Sequence, residues 1–89
     1  MKFDDWKAGN KMTGKTKTGA DYEIVEQVGV LNESKNGISL ELNRISYNGK
    51  APVWDIRRWG YDAEGNRVMR AGISLYDSEV EALKKILWG

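Results

Sequence analysis

The chain has 89 residues with neither His nor Cys, so it is read as one domain with a thin core, and Ser-His-Asp or Cys-His catalysis, Cys/His zinc sites and disulfides are excluded. The net charge is +1 but unevenly spread: residues 1–20 carry five Lys against two Asp, residues 21–34 carry four acids and no base, and residues 35–70 carry seven bases against four acids. No apolar run approaches the roughly 20 residues of a membrane span, and the first residues lack the apolar stretch of a signal peptide, so a soluble, cytoplasmic protein without membrane partners is expected.

Residues 1–20 are rich in Gly, Lys, Thr and Asn and keep no helical or strand period, which predicts a flexible basic tail ahead of a domain over residues 21–89. Phe3 and Trp6 are the exceptions within the tail. From Tyr22 to Leu31 β-branched residues dominate and predict a strand. A turn follows at Asn32–Gly37, with the hairpin dipeptide Asn36-Gly37. Between Gly37 and Tyr47, Ile38, Leu40 and Leu42 share one face, whereas Ile45 and Tyr47 fall on the other. A bulge near Asn43–Arg44, or burial on both faces, would account for the change of phase. Asn48-Gly49 marks the next turn, and Pro52 suits the first residue of a third strand, Val53–Trp59. Asp62–Asn66 is a turn, and Arg67–Leu75 is the fourth strand. Ser78 and Glu81 then fit a capping box, Asp77 adds negative charge at the helix start, and Val80, Leu83, Ile86 and Leu87 share a helical face. The expectation is an α+β fold: a four-stranded curved antiparallel meander followed by one C-terminal helix.

One helix covers one face of such a sheet, leaving the other open. Strand phases place Trp54, Ile56, Met69, Ala71, Ile73 and Leu75 toward the helix. They place Tyr47, Asp55, Arg57, Trp59 and Arg70 on the open face, with Lys50 at its rim. Aromatic rings stack on bases and cations follow phosphates, so this mixture suits single-stranded nucleic acid. The plainer alternative is that Trp59 and Tyr47 are packing partners and the Arg residues pair with Asp55 and Glu41. Gly9–Thr16 matches the phosphate-loop pattern G-x-x-x-x-G-K-T letter for letter, but no buried strand precedes it and no good helix follows, so a nucleotide-triphosphate site is not expected. Asp55, Asp62 and Glu64 make a poor carboxylate site, because two of them lie in a turn where acids are ordinary. No catalysis, metal or cofactor is expected.

The stretch Val53–Leu87, with Asp55-Ile56-Arg57, Glu64-Gly65, Gly72-Ile73-Ser74-Leu75 and an amphipathic helix, resembles the single-stranded-DNA-binding domain of the transcriptional positive cofactor 4 (PC4-like) family. With Glu41–Arg44 and Asp55–Trp59 included, Tyr22–Leu87 is similar to its bacterial and phage branch, the YdbC-like proteins. The resemblance implies a homodimer that binds single-stranded DNA with little sequence preference on curved sheet faces. Candidate contacts are Lys35, Arg44, Tyr47, Lys50, Arg57, Trp59, Arg67 and Arg70. One departure is Gly60, where the eukaryotic member has a Trp. Alternatives are an RNA-binding protein, or an interaction module that recruits a polymerase or recombination factor.

Overall fold

A computed structural model describes residues 12–89. Five antiparallel strands follow one another in space as in sequence: β1 (Met12–Lys15), β2 (Asp21–Glu33), β3 (Ser39–Tyr47), β4 (Val53–Tyr61) and β5 (Arg67–Leu75). A helix, α1 (Asp77–Trp88), closes the chain. The four-strand expectation is therefore corrected to five. The added strand lies in the segment read as tail, where Thr13, Gly14 and Lys15 show no apolar alternation; it exists through its ladder to β2, from Met12 opposite Ile24 to Lys15 opposite Asp21. The phosphate-loop look-alike is thus partly strand and partly turn, and Gly9, Asn10 and Lys11 lie outside the described residues. Phe3 and Trp6 lie outside them too.

Of the two explanations for the change of phase in β3, burial on both faces is the one found, with Leu40 and Leu42 half-buried on one side and Ile45 buried on the other; the bulges lie in β2. Along β2, register shifts fall between Ile24 and Glu26, Gln27 and Gly29, and Val30 and Asn32, while β3 runs in unbroken register against β4. Each shift leaves one extra residue on β2, namely Val25, Val28 and Leu31, and these three apolar side chains are exposed. A bulge bends its strand and increases its twist. Three of them make β2 thirteen residues long against nine in β3, so the sheet curls.

The inside of the curl is the core. Tyr22, Ile24, Ile45 and Trp59 are buried there, with Tyr47 and Met69 packed against them. Ser39, Glu41, Asn43 and Asp55 are buried on the same side. Odd-numbered residues of β3 and β4 thus face inward, and Trp59 is fully buried rather than standing on an open face. Its ring lies 5.8 Å from that of Tyr22, at 58°. The expected two faces of β4 are exchanged in consequence. The buried layer contains so many polar residues that its apolar period is masked in the sequence.

The turn Tyr47–Lys50 follows its sequence closely. Asn48 and Gly49 both have positive φ, 52° and 73°, and Lys50 N–H donates to the Tyr47 carbonyl at 3.0 Å, as the primed hairpin turn requires. Helix α1 starts earlier than the Ser78 capping box implied. Tyr76 is its N-cap residue, and the Tyr76 N–H donates to Glu79 Oε1 at 2.8 Å. Glu79 wins because it sits three residues after the cap, where a carboxylate reaches back to the cap N–H. The helix does not cover the sheet: none of its residues is buried, and Ile86, Leu87 and Trp88 are exposed together with Ile73 of β5. Among the described residues, no helix is long and apolar enough to cross a membrane, and no group of three or more His, Cys, Asp or Glu could hold a metal ion.

Burial lifts both Tyr22 and Tyr47 above the ordinary hydroxyl value of 10.0, and desolvation of the phenolate is the main cause. The unfolded chain therefore releases these protons first. Stability should be insensitive to them below about pH 10 and should fall as the pH rises further. Thermal melts between about pH 8 and 12 check this: Tyr22→Phe should lose less stability across that interval than the unaltered chain. Identical alkaline profiles would show that Tyr22 ionises equally easily in both states.

Candidate nucleic-acid interface

Two buried carboxylates organise the inner face. Asp55, fully buried on β4, accepts four hydrogen bonds. Arg57 donates from Nε at 2.6 Å and from Nη2 at 2.8 Å, Tyr47 from its hydroxyl at 3.0 Å, and Ser74 from Oγ at 2.8 Å. The register explains the cluster, because Asp55 lies opposite Ser74 on β5 and Arg57 opposite Gly72. A Cβ at Gly72 would come within 1.9 Å of the Arg57 Cβ, so the glycine leaves room for the arginine. The hydrogen bond to Asp55 is the chief reason that the Arg57 guanidinium is held above its usual range, and the pair is bidentate and charge-assisted.

The second carboxylate, Glu41 of β3, accepts from Ser39 Oγ, from Asn43 Nδ2 at 3.2 Å and from Arg67 Nη2 at 2.5 Å. Arg67 in turn lies over the Trp59 ring, 4.8 Å from its centre. Four of the expected contacts are therefore brought together as two pairs, Tyr47 with Arg57 and Trp59 with Arg67. The plainer reading holds for Arg57 with Asp55; Glu41, however, is paired by Arg67 and not by Arg70 of the open-face set. The expectation of Trp59 as an open stacking platform is corrected: the curl of the sheet, Tyr22 and Arg67 enclose it.

The remaining four candidates lie apart. Arg44 sits on the other face, over the Trp54 ring at 4.5 Å, and straps β3 to the helix start by bonding the Pro52 carbonyl at 3.1 Å and Asp77 at 3.4 Å. Trp54 Nε1 donates to the same Asp77 oxygen at 2.8 Å. Arg70 leaves the inner face as well, and its Nη2 donates to the Tyr61 carbonyl at 3.4 Å. Lys35 and Lys50 are exposed in the turns before β3 and β4 and form no ion pair among the described residues. Asp62 is a turn-former: it accepts from the backbone N–H groups of Asn66 and Glu64, and these bonds, Asn66 first, hold its carboxyl below the usual range.

The Asp55 network opens at one end into a cleft of about 510 Å³ lined by Tyr47, Lys50, Val53, Ser74, Tyr76 and Asp77, with Ala51, Pro52 and Leu75. Tyr76 is 70% exposed and stands outside the contacts expected from the sequence. Its position between the last strand and the helix was the available signal, since an apolar ring at a helix cap with no partner in the pattern has no core role. Aromatic faces at the mouth of a cleft with an unpaired Lys at the rim can hold a base and its phosphate.

The family model for Transcriptional Coactivator p15 (PC4) matches residues 40–86, which run from β3 through α1 and include every residue of this cleft. The chain is also 41% identical, over 66 residues, to an uncharacterised protein of Treponema pallidum (strain Nichols); the alignment covers 74% of each chain.

Proposed function

The chain belongs to the Transcriptional Coactivator p15 (PC4) family, and from that premise we propose that it is a non-catalytic protein that binds single-stranded DNA with little sequence preference and acts as a homodimer. Membership supports nucleic-acid binding. The observation that carries the finer reading is the cleft joining Tyr47, Lys50 and Tyr76, which lies wholly inside the matched stretch and offers rings and a cation to an unpaired strand. A duplex hides its bases in the stack, whereas a single strand presents them to such rings. The dimer is supported by the exposed Ile73, Ile86, Leu87 and Trp88, an apolar surface that the monomer leaves bare.

Titration of labelled dT oligomers by fluorescence anisotropy at several salt concentrations tests the binding. Affinity should fall steeply with salt, by about 0.7 logarithmic unit per phosphate contact, and duplex of the same length should compete poorly. Equal affinity for duplex would overturn the single-strand reading. Light scattering should report twice the chain mass of 10.1 kDa at micromolar concentration, and the monomer mass would overturn the dimer.

A further inference from the structure

A second strongly charged surface lies away from the cleft. The turn after β1 comes round to β5, and between them runs a groove of about 620 Å³. Lys15 lines it from the end of β1, Lys17 from the turn, Arg58 from β4 and Arg70 from β5, over an apolar floor of Val68 and Met69. Among the described residues, no carboxylate lines it. Lys15 pairs with Asp21 at 2.6 Å, but Lys17, Arg58 and Arg70 form no ion pair among the described residues. Elsewhere the acids are well used: Arg44, Arg57, Arg67 and Lys84 each have one.

The backbone brings these cations together. Between the pairs Arg57–Gly72 and Trp59–Met69, β4 contributes only Arg58, whereas β5 contributes Arg70 and Ala71. This is a bulge that sets Arg70 beside Arg58, and like charges facing each other across a ladder are destabilising unless an anion joins them. Arg70 is also held in place. A Cβ built on Gly60 would lie 2.3 Å from Arg70 Nε, so the guanidinium occupies the space that any other residue at position 60 would fill. Its bond to the Tyr61 carbonyl, at 3.4 Å, leaves most of its N–H donors available.

The geometry points to this groove as a track for the phosphates of a single-stranded nucleic acid, with Lys17 and Arg58 as contacts and Gly60 as the residue that positions Arg70. The inference rests on the single-strand binding proposed above and adds the β1–β2 turn as one wall of the path. Each phosphate contact contributes about 0.7 to the salt slope, which at about 0.1 M salt corresponds to roughly fivefold in affinity.

The test uses the full chain, the labelled dT oligomer and three variants: Lys17→Gln with Arg58→Gln, Gly60→Ala, and Lys85→Gln as a charge-loss control on the helix. The double variant should flatten the slope by about 1.4 and weaken binding about 25-fold at 0.1 M salt, with an unchanged melting temperature. Gly60→Ala should lose about one contact without any change in formal charge, whereas Lys85→Gln should keep the original slope. If the unaltered chain binds the oligomer and the double variant matches it in slope and affinity, the groove is not the track and the single-strand reading stands. If the unaltered chain does not bind the oligomer, it is the underlying reading that fails. A Lys85→Gln slope as flat as the double variant's would also overturn the groove, because charge loss anywhere would then suffice.

Discussion

Trp59→Ala is expected to be the most damaging single substitution in the sheet. The indole is fully buried, packs against Tyr22 and carries Arg67 on its face. Truncating a buried Trp costs about 3–5 kcal/mol, a large part of the roughly 5–15 kcal/mol that holds a small domain together. In a chain of this size that lowers the melting temperature by about 15 °C or more, and it also leaves Arg67 without its ring. Trp54→Ala should cost less, since Trp54 is only partly buried, and what it loses is the packing under Arg44 and one hydrogen bond to Asp77. Thermal melts of the two variants decide the matter. A Trp59→Ala protein that melts like the unaltered chain yet binds oligonucleotide weakly would return Trp59 to a stacking role on an open face.

Asp55→Ala is expected to come close behind. Four donors converge on this carboxylate, and its removal strands the guanidinium of Arg57, the hydroxyl of Tyr47 and that of Ser74 in the curl of the sheet. Breaking one partner of a buried ion pair costs about 3–5 kcal/mol because the other charge stays buried without compensation. Asp55→Asn should also be harmful: the amide keeps the shape but loses the charge, and either way round it turns its NH2 toward one N–H of Arg57, which cannot accept. The double variant Asp55→Ala with Arg57→Ala should be more stable than the sum of the single losses implies, since it removes the stranded charge with its partner. Urea denaturation of Asp55→Ala, Arg57→Ala and the double variant measures this. Additive losses would show that the pair acts as two independent side chains.

Much of this architecture is legible in the residues. The strands from Tyr22 onward, the Asn48-Gly49 turn, the Asp62 turn and the C-terminal helix all carry local signals strong enough to place them. The pairing of Arg57 with buried Asp55 is legible as the plainer alternative, whereas that of Arg67 with Glu41 is not. Two things were hidden for physical reasons. β1 has no hydrophobic period of its own, because its Thr, Gly and Lys form a strand only through the ladder supplied by β2. The inner face of the curl looks like the outer one because Ser39, Glu41, Asn43, Asp55 and Arg57 read as solvent-facing until their partners are known. Alternation tells which residues share a side; it cannot tell which side is inside when the buried layer is itself polar. The meeting of Lys17 with Arg58 is illegible for a related reason: they become neighbours only when the sheet closes round on β5.

The three bulges of β2 also bear on how this protein avoids sticking to itself. Among the described residues, β1 covers the outer edge of β2 only as far as Ile24, so Val25–Glu33 would present bare N–H and C=O groups and an apolar stripe to any passing strand. A flat edge of that kind templates aggregation. Here every third residue is displaced from the ladder, so no run longer than two residues keeps the spacing that an incoming strand needs. The same irregularity that curls the sheet round Trp59 therefore keeps its longest strand from seeding a cross-β stack, and the chain can leave Val25, Val28 and Leu31 in water without recruiting copies of itself along that edge.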